Sequence, residues 1–575
     1  MSPTRKSAAN LAILLVLVLA GFWLWSLHAQ AWDLGGRSPV LNYDTSQYAL
    51  AARELAEHGR LATSFALPVE LARAGQPPWP LAVVQPGLVV AEAAIFRLVP
   101  KIIRIGDLFV FHLQVPHQRE WLTLLIPFFC YLTLGALLAL VTARLLERHA
   151  PGTSSVERRL AALTIGLAFL LDPEAQHFAV GGFTELPFTL GLVGAFAALV
   201  SERAAQRRPL LFGLLLGVTG SFRANMLWLV PVFAVAAAAL APERRLRVLV
   251  LTLLGYALPL APWWYYKWRT FGSPGWDLSR LVLWEGVQGR SWFSLFHLPE
   301  QPNLPHGAEA ARLLAAKTMR RLPQLLLALA MGPRALWVGA LVLWIMLCRP
   351  ARPLAVTAWS ILGANVLGLL AAAASIPWLR FLFPARIPLE AAGTLALWGL
   401  ISRAPTTLVG ARLGRALKVG VAVLAIGWGV NQTLRGNAEA RATAAVRGLP
   451  SVLTLRDLAF RLRQQIPADE VVMSNLGPML AWYAGRPVVH LALTPADVGA
   501  CRRRLEFRNV LLAFRDAERA WPGWQEVMAR PADAVGHPEW NVLHERHWQE
   551  LDGFHIVWLE LVMHPTALLT FQAPA

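Results

Sequence analysis

Cysteine is scarce in this chain. Its 575 residues hold three, Cys130, Cys348 and Cys501, far apart and odd in number, which excludes a disulfide framework and any cysteine-based zinc site. Charge is sparse as well, at 15% of residues, and acid is the rarer sign, with 35 Asp and Glu against 53 Lys and Arg. No Walker loop, dinucleotide fingerprint or nucleophile elbow occurs, so nucleotide phosphates have no glycine cradle and serine hydrolysis has no strand-to-helix elbow. Internal repeats and low-complexity segments are also missing. What remains is apolar. The chain is 56% hydrophobic, with a mean hydropathy of +0.47 and 24 tryptophans, the composition of a polytopic membrane protein. The net charge of +18 does not indicate a nucleic-acid partner. From Arg435 to the end, 15 basic residues face 15 acidic ones, so the whole excess lies in residues 1–434. There it gathers in short segments between apolar runs, as cytoplasmic loops facing anionic lipid do.

Those runs order the chain. Residues 11–27, preceded by Arg5 and Lys6 and lacking a convincing cleavage site, read as an uncleaved first span. Spans are expected at 121–143, 160–171, 186–200, 246–262, 323–347, 354–374, 381–401 and 417–434. The topology turns on residues 209–241. A single helix of that length would measure roughly 50 Å, against a bilayer core of about 30 Å, so two short helices are expected, with SFRAN at the tip of the hairpin. That makes about eleven spans. Arg144, Arg148, Arg203, Arg244, Arg352, Arg412 and their neighbours then fall inside, opposed only by Glu147, Glu157, Glu202 and Glu243. The positive-inside rule places loops 28–120 and 263–322 and the C-terminal region outside. Beyond residue 434 the charge balances, and helical LRDLAFRLRQQI alternates with strand-like VVMSN, NVLLAF and FHIVWLELV, which argues for a small α/β module. The expected fold is mainly α, polytopic and transmembrane, with a membrane domain at 1–434 and a soluble extracytoplasmic α/β domain at 435–575.

The first outer loop opens with VLNYDTSQYALAARELAEHG at 40–59. Asp44 and Gln47 have capping-box spacing, Tyr48, Ala51, Ala52 and Leu55 recur at helical intervals, and Gly59 is a natural stop. A short amphipathic helix lying on the membrane surface follows. Asp44 either satisfies free backbone N–H groups there or presents a carboxylate to the outer face. A second interfacial helix is expected at 85–100. Glu185 in GGFTELPF opens another span, with Thr184 as its N-cap, where the helix dipole favours an acid whatever its role. Asp172 and Glu174 share that loop. Asp172, just before a proline, reads first as a helix terminator.

Arg223 at the hairpin tip and Arg380 in SIPWLRFLFPARIP are the cationic counterparts, with Arg386 a third. A guanidinium at membrane depth is costly unless paired, and it suits a phosphate in bidentate fashion; the alternative is that each snorkels to headgroups. Trp263, Trp264, Trp268, Trp276, Trp284 and Trp292, interleaved with Lys267, Arg269, Arg280 and Arg290, read as an interfacial belt, part of which could shape a groove. His544, His547 and His555 have no partner acid at metal-ligand spacing.

The order of these landmarks resembles the GT-C superfamily of polytopic glycosyltransferases, near the bacterial relatives of protein O-mannosyltransferases and lipid A aminoarabinose transferases. Its acidic first-loop motif is matched by Asp44. Its Pro-Pro or Pro-Gly motif is matched by Gln85, Pro86 and Gly87, or by Pro77 and Pro78, and the acid before a Pro by Glu185 in TELPF. The Arg-bearing hairpin and the Arg-aromatic-Leu-x-Pro segment are matched by Arg223 and by Arg380 to Pro384, and TFGSP at 270–274 fits the same group. Two departures stand out: Thr45 follows Asp44 where the family often has an Asp-Glu pair, and Gln76 or Gln85 stands where some members have Lys. The resemblance implies a multi-pass enzyme of the inner (cytoplasmic) membrane that moves a sugar from a polyprenyl-phosphate donor to a glycan, lipid or protein acceptor outside, among membrane lipids. It assigns catalysis to Asp44 and Glu185, the donor phosphate to Arg223 and Arg380, and substrate contacts to Tyr43, Gln47, Tyr48, Gln85, Lys267 and Arg269. No cofactor is demanded, and a divalent cation is compatible with the site. The competing class is a transporter or flippase of lipid-linked sugars. Such proteins usually have related halves with matching broken helices, whereas here only 209–241 is interrupted.

Overall fold

The computed structural model describes residues 3–103, 116–150, 153–201, 207–330, 334–377, 379–402, 408–446, 450–515, 518, 520–530, 542–551 and 554–561. In chain order the principal helices are α1 (Pro3–Ala31), α2 (Tyr43–His58), α3 (Pro86–Ile103), α4 (Leu125–His149), α5 (Ser155–Leu170), α6 (Pro173–Gly181), α7 (Glu185–Val200), α8 (Pro209–Phe222), α9 (Met226–Leu240) and α10 (Arg245–Phe271). They continue as α11 (Gly307–Ala330), α12 (Arg334–Cys348), α13 (Arg352–Ala374), α14 (Phe383–Ile401), α15 (Leu408–Val446), α16 (Val452–Gln465), α17 (Gly477–Ala484) and α18 (Pro495–Arg502). Among the described residues, five helical stretches are long and apolar enough to cross a membrane: Asn10–Ala31, Arg119–His149, Pro242–Phe271, Arg352–Ala374 and Arg412–Ala445. The pair α11 and α12 meets that test only when taken together, bent by 83°, where the sequence suggested a span at 323–347; α7, α8 and α9 are shorter apolar helices. The chain is a multi-pass membrane protein. On α1, the side chains of Leu11, Leu15, Leu19, Phe22 and Trp23 are more than half exposed, as lipid-facing residues are.

The interrupted element at 209–241 forms the expected hairpin, α8 and α9 breaking at Arg223–Asn225. Its position is set by close backbone approach. A Cβ on Gly213 would lie 2.2 Å from the Thr252 carbonyl oxygen, and one on Gly255 would lie 2.3 Å from that of Leu210, so α8 packs directly on α10 through small residues. The tip meets the start of α3, where a Cβ on Gly87 would fall 2.6 Å from Ser221 Oγ.

The C-terminal region builds a six-stranded sheet in the order β2-β5-β4-β6-β8-β7, from β2 (Phe65–Ala66), β4 (Val472–Ser474), β5 (Val488–His490), β6 (Asn509–Phe514), β7 (Val542–Leu551) and β8 (Phe554–Leu561). The contacts from β2 to β6 are parallel, and β8 and β7 add antiparallel strands. The edge strand β2 comes from the loop between α1 and α4. That loop also pairs β1 (Ala62–Thr63) with β3 (Trp79–Pro80). Helix α2 packs on α17, and one apolar core joins Leu50, Phe65 and Val89 to Leu455, Leu480 and Ile556. The first loop and the C-terminal sheet therefore form one continuous cap on one end of the helical bundle. Helix α15 runs unbroken through residue 434 toward that cap. The tryptophan belt divides: Trp263, Trp276 and Trp284 are buried in the cap, while Trp268 is 54% exposed.

Candidate active site

Local backbone chemistry places Asp44. The helix N-cap is Asn42, whose side chain accepts from Thr45 N at 3.0 Å, while Thr45 Oγ1 accepts from Asn42 N at 2.9 Å. This capping box sits two residues earlier than the Asp44 and Gln47 spacing suggested, because Asn42 has the extended conformation that a cap needs. Asp44 is thereby relieved of capping. Its carboxylate meets Arg380 instead, Oδ2 to Nη2 at 3.3 Å, with the two side chains 43% and 33% exposed.

Glu185 begins α7, and Thr184 makes no side-chain cap there, its residual conformation being helical rather than extended. Glu185 is nearly closed off, pairing with Arg223 at 2.6 Å with exposures of 3% and 12%. Arg223 also reaches Thr184 Oγ1 at 3.5 Å. The two pairs are neighbours: the Arg223 guanidinium lies 5.5 Å from the Phe381 ring centre, and that of Arg380 lies 5.4 Å from the same ring. Arg380 also lies 5.9 Å from the ring of Phe183. Two carboxylates and two guanidiniums thus gather around Phe381, where α2, the start of α7, the hairpin tip and the turn before α14 converge. Tyr48, one turn along α2 from Asp44, bonds Thr184 and feels Arg223, Asp44 and Glu185; burial holds its phenol above the usual range against the pull of Arg223, so it stays a protonated donor.

The other sequence candidates fall elsewhere. Gln85 Nε2 and Lys267 Nζ both bind Asp277 Oδ2, at 2.9 and 3.2 Å, forming a second polar knot beside the start of α3. Lys267 also lies 5.2 Å over the Trp263 ring. Gln47 is buried within α2, and Arg269 is exposed in the last turn of α10. Tyr43 turns toward the sheet, with its ring 5.3 Å from that of His490 and 5.9 Å from that of Phe65. Arg386, the third cation, is held by carboxylates: Asp172 at 2.5 Å, Glu174 at 3.1 Å and Glu390 at 3.5 Å. Asp172 is the N-cap of α6 and not a terminator alone, accepting from Ala175 N at 2.9 Å through its other oxygen.

Among the described residues no group of three or more His, Cys, Asp or Glu is placed to hold a metal ion. His555 lies in β8, and the side chains of His544 and His547 lie outside the described residues. Sequence reasoning missed Asn42, Phe381, Phe183 and Asp277. Phe381 was legible as the aromatic of the Arg-aromatic-Leu-x-Pro segment, but the ten-residue step from Lys267 to Asp277 carries no periodic signal.

This architecture, a many-helix membrane bundle with an acidic first loop under an α/β cap, is a fold shared with a solved bacterial membrane protein. Among solved structures, ArnT from Cupriavidus metallidurans in the apo state aligns with a TM-score of 0.50 at 13% identity, over 97% of this chain and 98% of that one. The same protein bound to undecaprenyl phosphate aligns at 0.49 and 12% identity, over the full length of both chains. No family model and no curated protein matches the sequence.

Proposed function

We propose that the chain transfers a sugar, a hexose or a pentose, from a polyprenyl-phosphate-linked donor to an acceptor hydroxyl on the extracytoplasmic side of the inner membrane. The observation that carries this reading is the half-open Asp44–Arg380 pair beside a closed Glu185–Arg223 pair. One carboxylate and one guanidinium can be reached without dismantling the site. Support comes from the fold shared with ArnT in the apo state.

In this reaction Asp44 takes the proton of the acceptor hydroxyl as its oxygen attacks the anomeric carbon. The bond from that carbon to the phosphate oxygen breaks, and the lipid phosphate leaves with one more negative charge than the diester carried. Arg380 meets that growing charge, so its attraction is stronger in the transition state than in the ground state, which is the condition for catalysis. Arg223, neutralised by Glu185, presents its remaining N–H groups to the same phosphate, and Tyr48 donates beside it. Glu185 fixes Arg223 rather than serving as base, since it is already spent on a 2.6 Å ion pair. Gln85 and Lys267 contact the substrate from the neighbouring wall, and the C-terminal sheet, sharing a core with α2, contributes to acceptor choice.

The test uses purified protein in nanodiscs with a panel of phosphate-labelled undecaprenyl-phosphate hexoses and pentoses. Release of labelled undecaprenyl phosphate that disappears in Asp44→Asn is the expected result. Movement of the intact labelled lipid between leaflets without bond cleavage would replace transfer by transport.

A further inference from the structure

The Asp44–Arg380 contact closes a ring of structure. From Asp44 the chain leads back two residues to Asn42, whose Nδ2 donates to the Gly181 carbonyl at 3.1 Å. Gly182, in the left-handed conformation at φ +71°, lies so near that a Cβ there would touch Thr45 Cγ2 at 3.0 Å. These contacts tie the C-terminal end of α6 to the cap of α2. Helix α6 is nine residues long, roughly 13 Å at 1.5 Å per residue, and Phe178 on it sets its ring against Phe383 of α14 at 4.8 Å. At its N-terminal end, Asp172 and Glu174 both grip Arg386 of α14. Arg380 lies six residues before Arg386, which returns the ring to its start. Glu185 follows α6 by four residues, so the same strut leads into the second pair.

We infer that Arg386 is a positioning residue: by clamping α6 to α14 it sets the separation of Asp44 from Arg380 without touching substrate. The chemistry of the clamp suits that task. Its side chain is 13% exposed, its guanidinium meets three carboxylates, and a planar fork holds two acids in fixed directions where an ammonium cannot. The catalytic pair is half open to solvent, where attraction between single charges is weak, so its spacing is dictated by the strut. A misplacement near 1 Å costs on the order of 100-fold in rate.

This inference rests on the transferase reading, and two measurements keep the two apart. In turnover of the best donor of the panel, Arg386→Gln lowers kcat about 100-fold while KM moves less than about 3-fold, and Arg386→Lys recovers roughly 10-fold of the loss. In the full chain carrying spin labels at His58→Cys and Pro377→Cys, Arg386→Gln broadens the distance distribution and Arg386→Lys broadens it less. An unchanged kcat in folded Arg386→Gln, or an unchanged distance distribution, overturns the inference. Should Arg386→Gln not fold, Glu174→Gln, which spares the α6 N-cap, is expected to lower kcat about 10-fold at constant KM, and wild-type kinetics in it overturn the inference equally. If the wild-type protein turns over none of the donors, the transferase reading fails and the spin-label distances alone judge the clamp.

Discussion

Two arginine–carboxylate pairs lie beside the ring of Phe381 and differ in nearly every physical respect. Glu185 and Arg223 meet at 2.6 Å with exposures of 3% and 12%; Asp44 and Arg380 meet at 3.3 Å with 43% and 33%. A closed pair has already lost its hydration and is held by mutual need, since either charge left alone in the bundle is strongly unfavourable. The open pair is partly exposed, so a substrate can reach both groups from solvent. On the proposed reading, Asp44 and Arg380 of the open pair act on the reacting groups, while Glu185 of the closed pair holds Arg223 in place.

The comparison can be broken by substitution. The largest effect is expected for Asp44→Asn, a loss of roughly 10²–10⁴ in kcat with an unchanged thermal midpoint, because Asn42 and not Asp44 caps α2. A fall in midpoint equal to that of Asn42→Ala would return Asp44 to a structural role. Arg380→Gln should follow with about 10²–10³ lost from kcat, visible as a slower burst of lipid phosphate release. For the closed pair the order of consequences inverts. Glu185→Gln strands Arg223 and should destabilise the fold by roughly 3–5 kcal/mol, whereas the double replacement Glu185→Leu with Arg223→Met should recover much of that stability and none of the activity. Denaturation in mild detergent measures both.

The smallest effect concerns a carboxyl outside both pairs. Glu70, buried in the cap with one oxygen on Leu67 N at 2.8 Å, is pushed up to about 8 by burial, the backbone hydrogen bond opposing. Because its folded value lies above the unfolded one, the native state holds a proton that the unfolded state has released, so stability falls as pH rises from about 4.5 toward 8. Glu70→Gln should be nearly silent below pH 5 and flatten that decline above it, as read from thermal midpoints across pH. A slope as steep as that of the wild type would assign the titration to another group.

Much of the fold was open to direct reading, and the reasons are local. The 33 residues at 209–241 had to break because one helix would overshoot the bilayer, and they break at Arg223. Strands β4, β6 and β8 stood out as apolar runs between turn residues. The bend between α11 and α12 left no such trace, and neither did strand β2, whose two residues pair with β5 across more than four hundred positions. At the site, Asp44, Glu185, Arg223 and Arg380 were recognisable as charges that an apolar chain could tolerate only at a shared polar face. Their pairing was not recognisable. Nothing in the order of the residues says that Glu185 takes Arg223, or that Arg386 goes to α6 and leaves Arg380 for Asp44.

By itself the sequence determined a multi-pass membrane bundle, the break in its hairpin, and which few charged groups stand beside it, because hydropathy, helix length and the cost of burying charge act on each segment separately. Only the tertiary structure decided which acid is sealed and which is open, that Asn42 relieves Asp44 of capping, and that the first loop completes the C-terminal sheet. Those outcomes depend on distances between segments remote in the chain, which leave one pair nearly sealed at 2.6 Å and the other partly open at 3.3 Å.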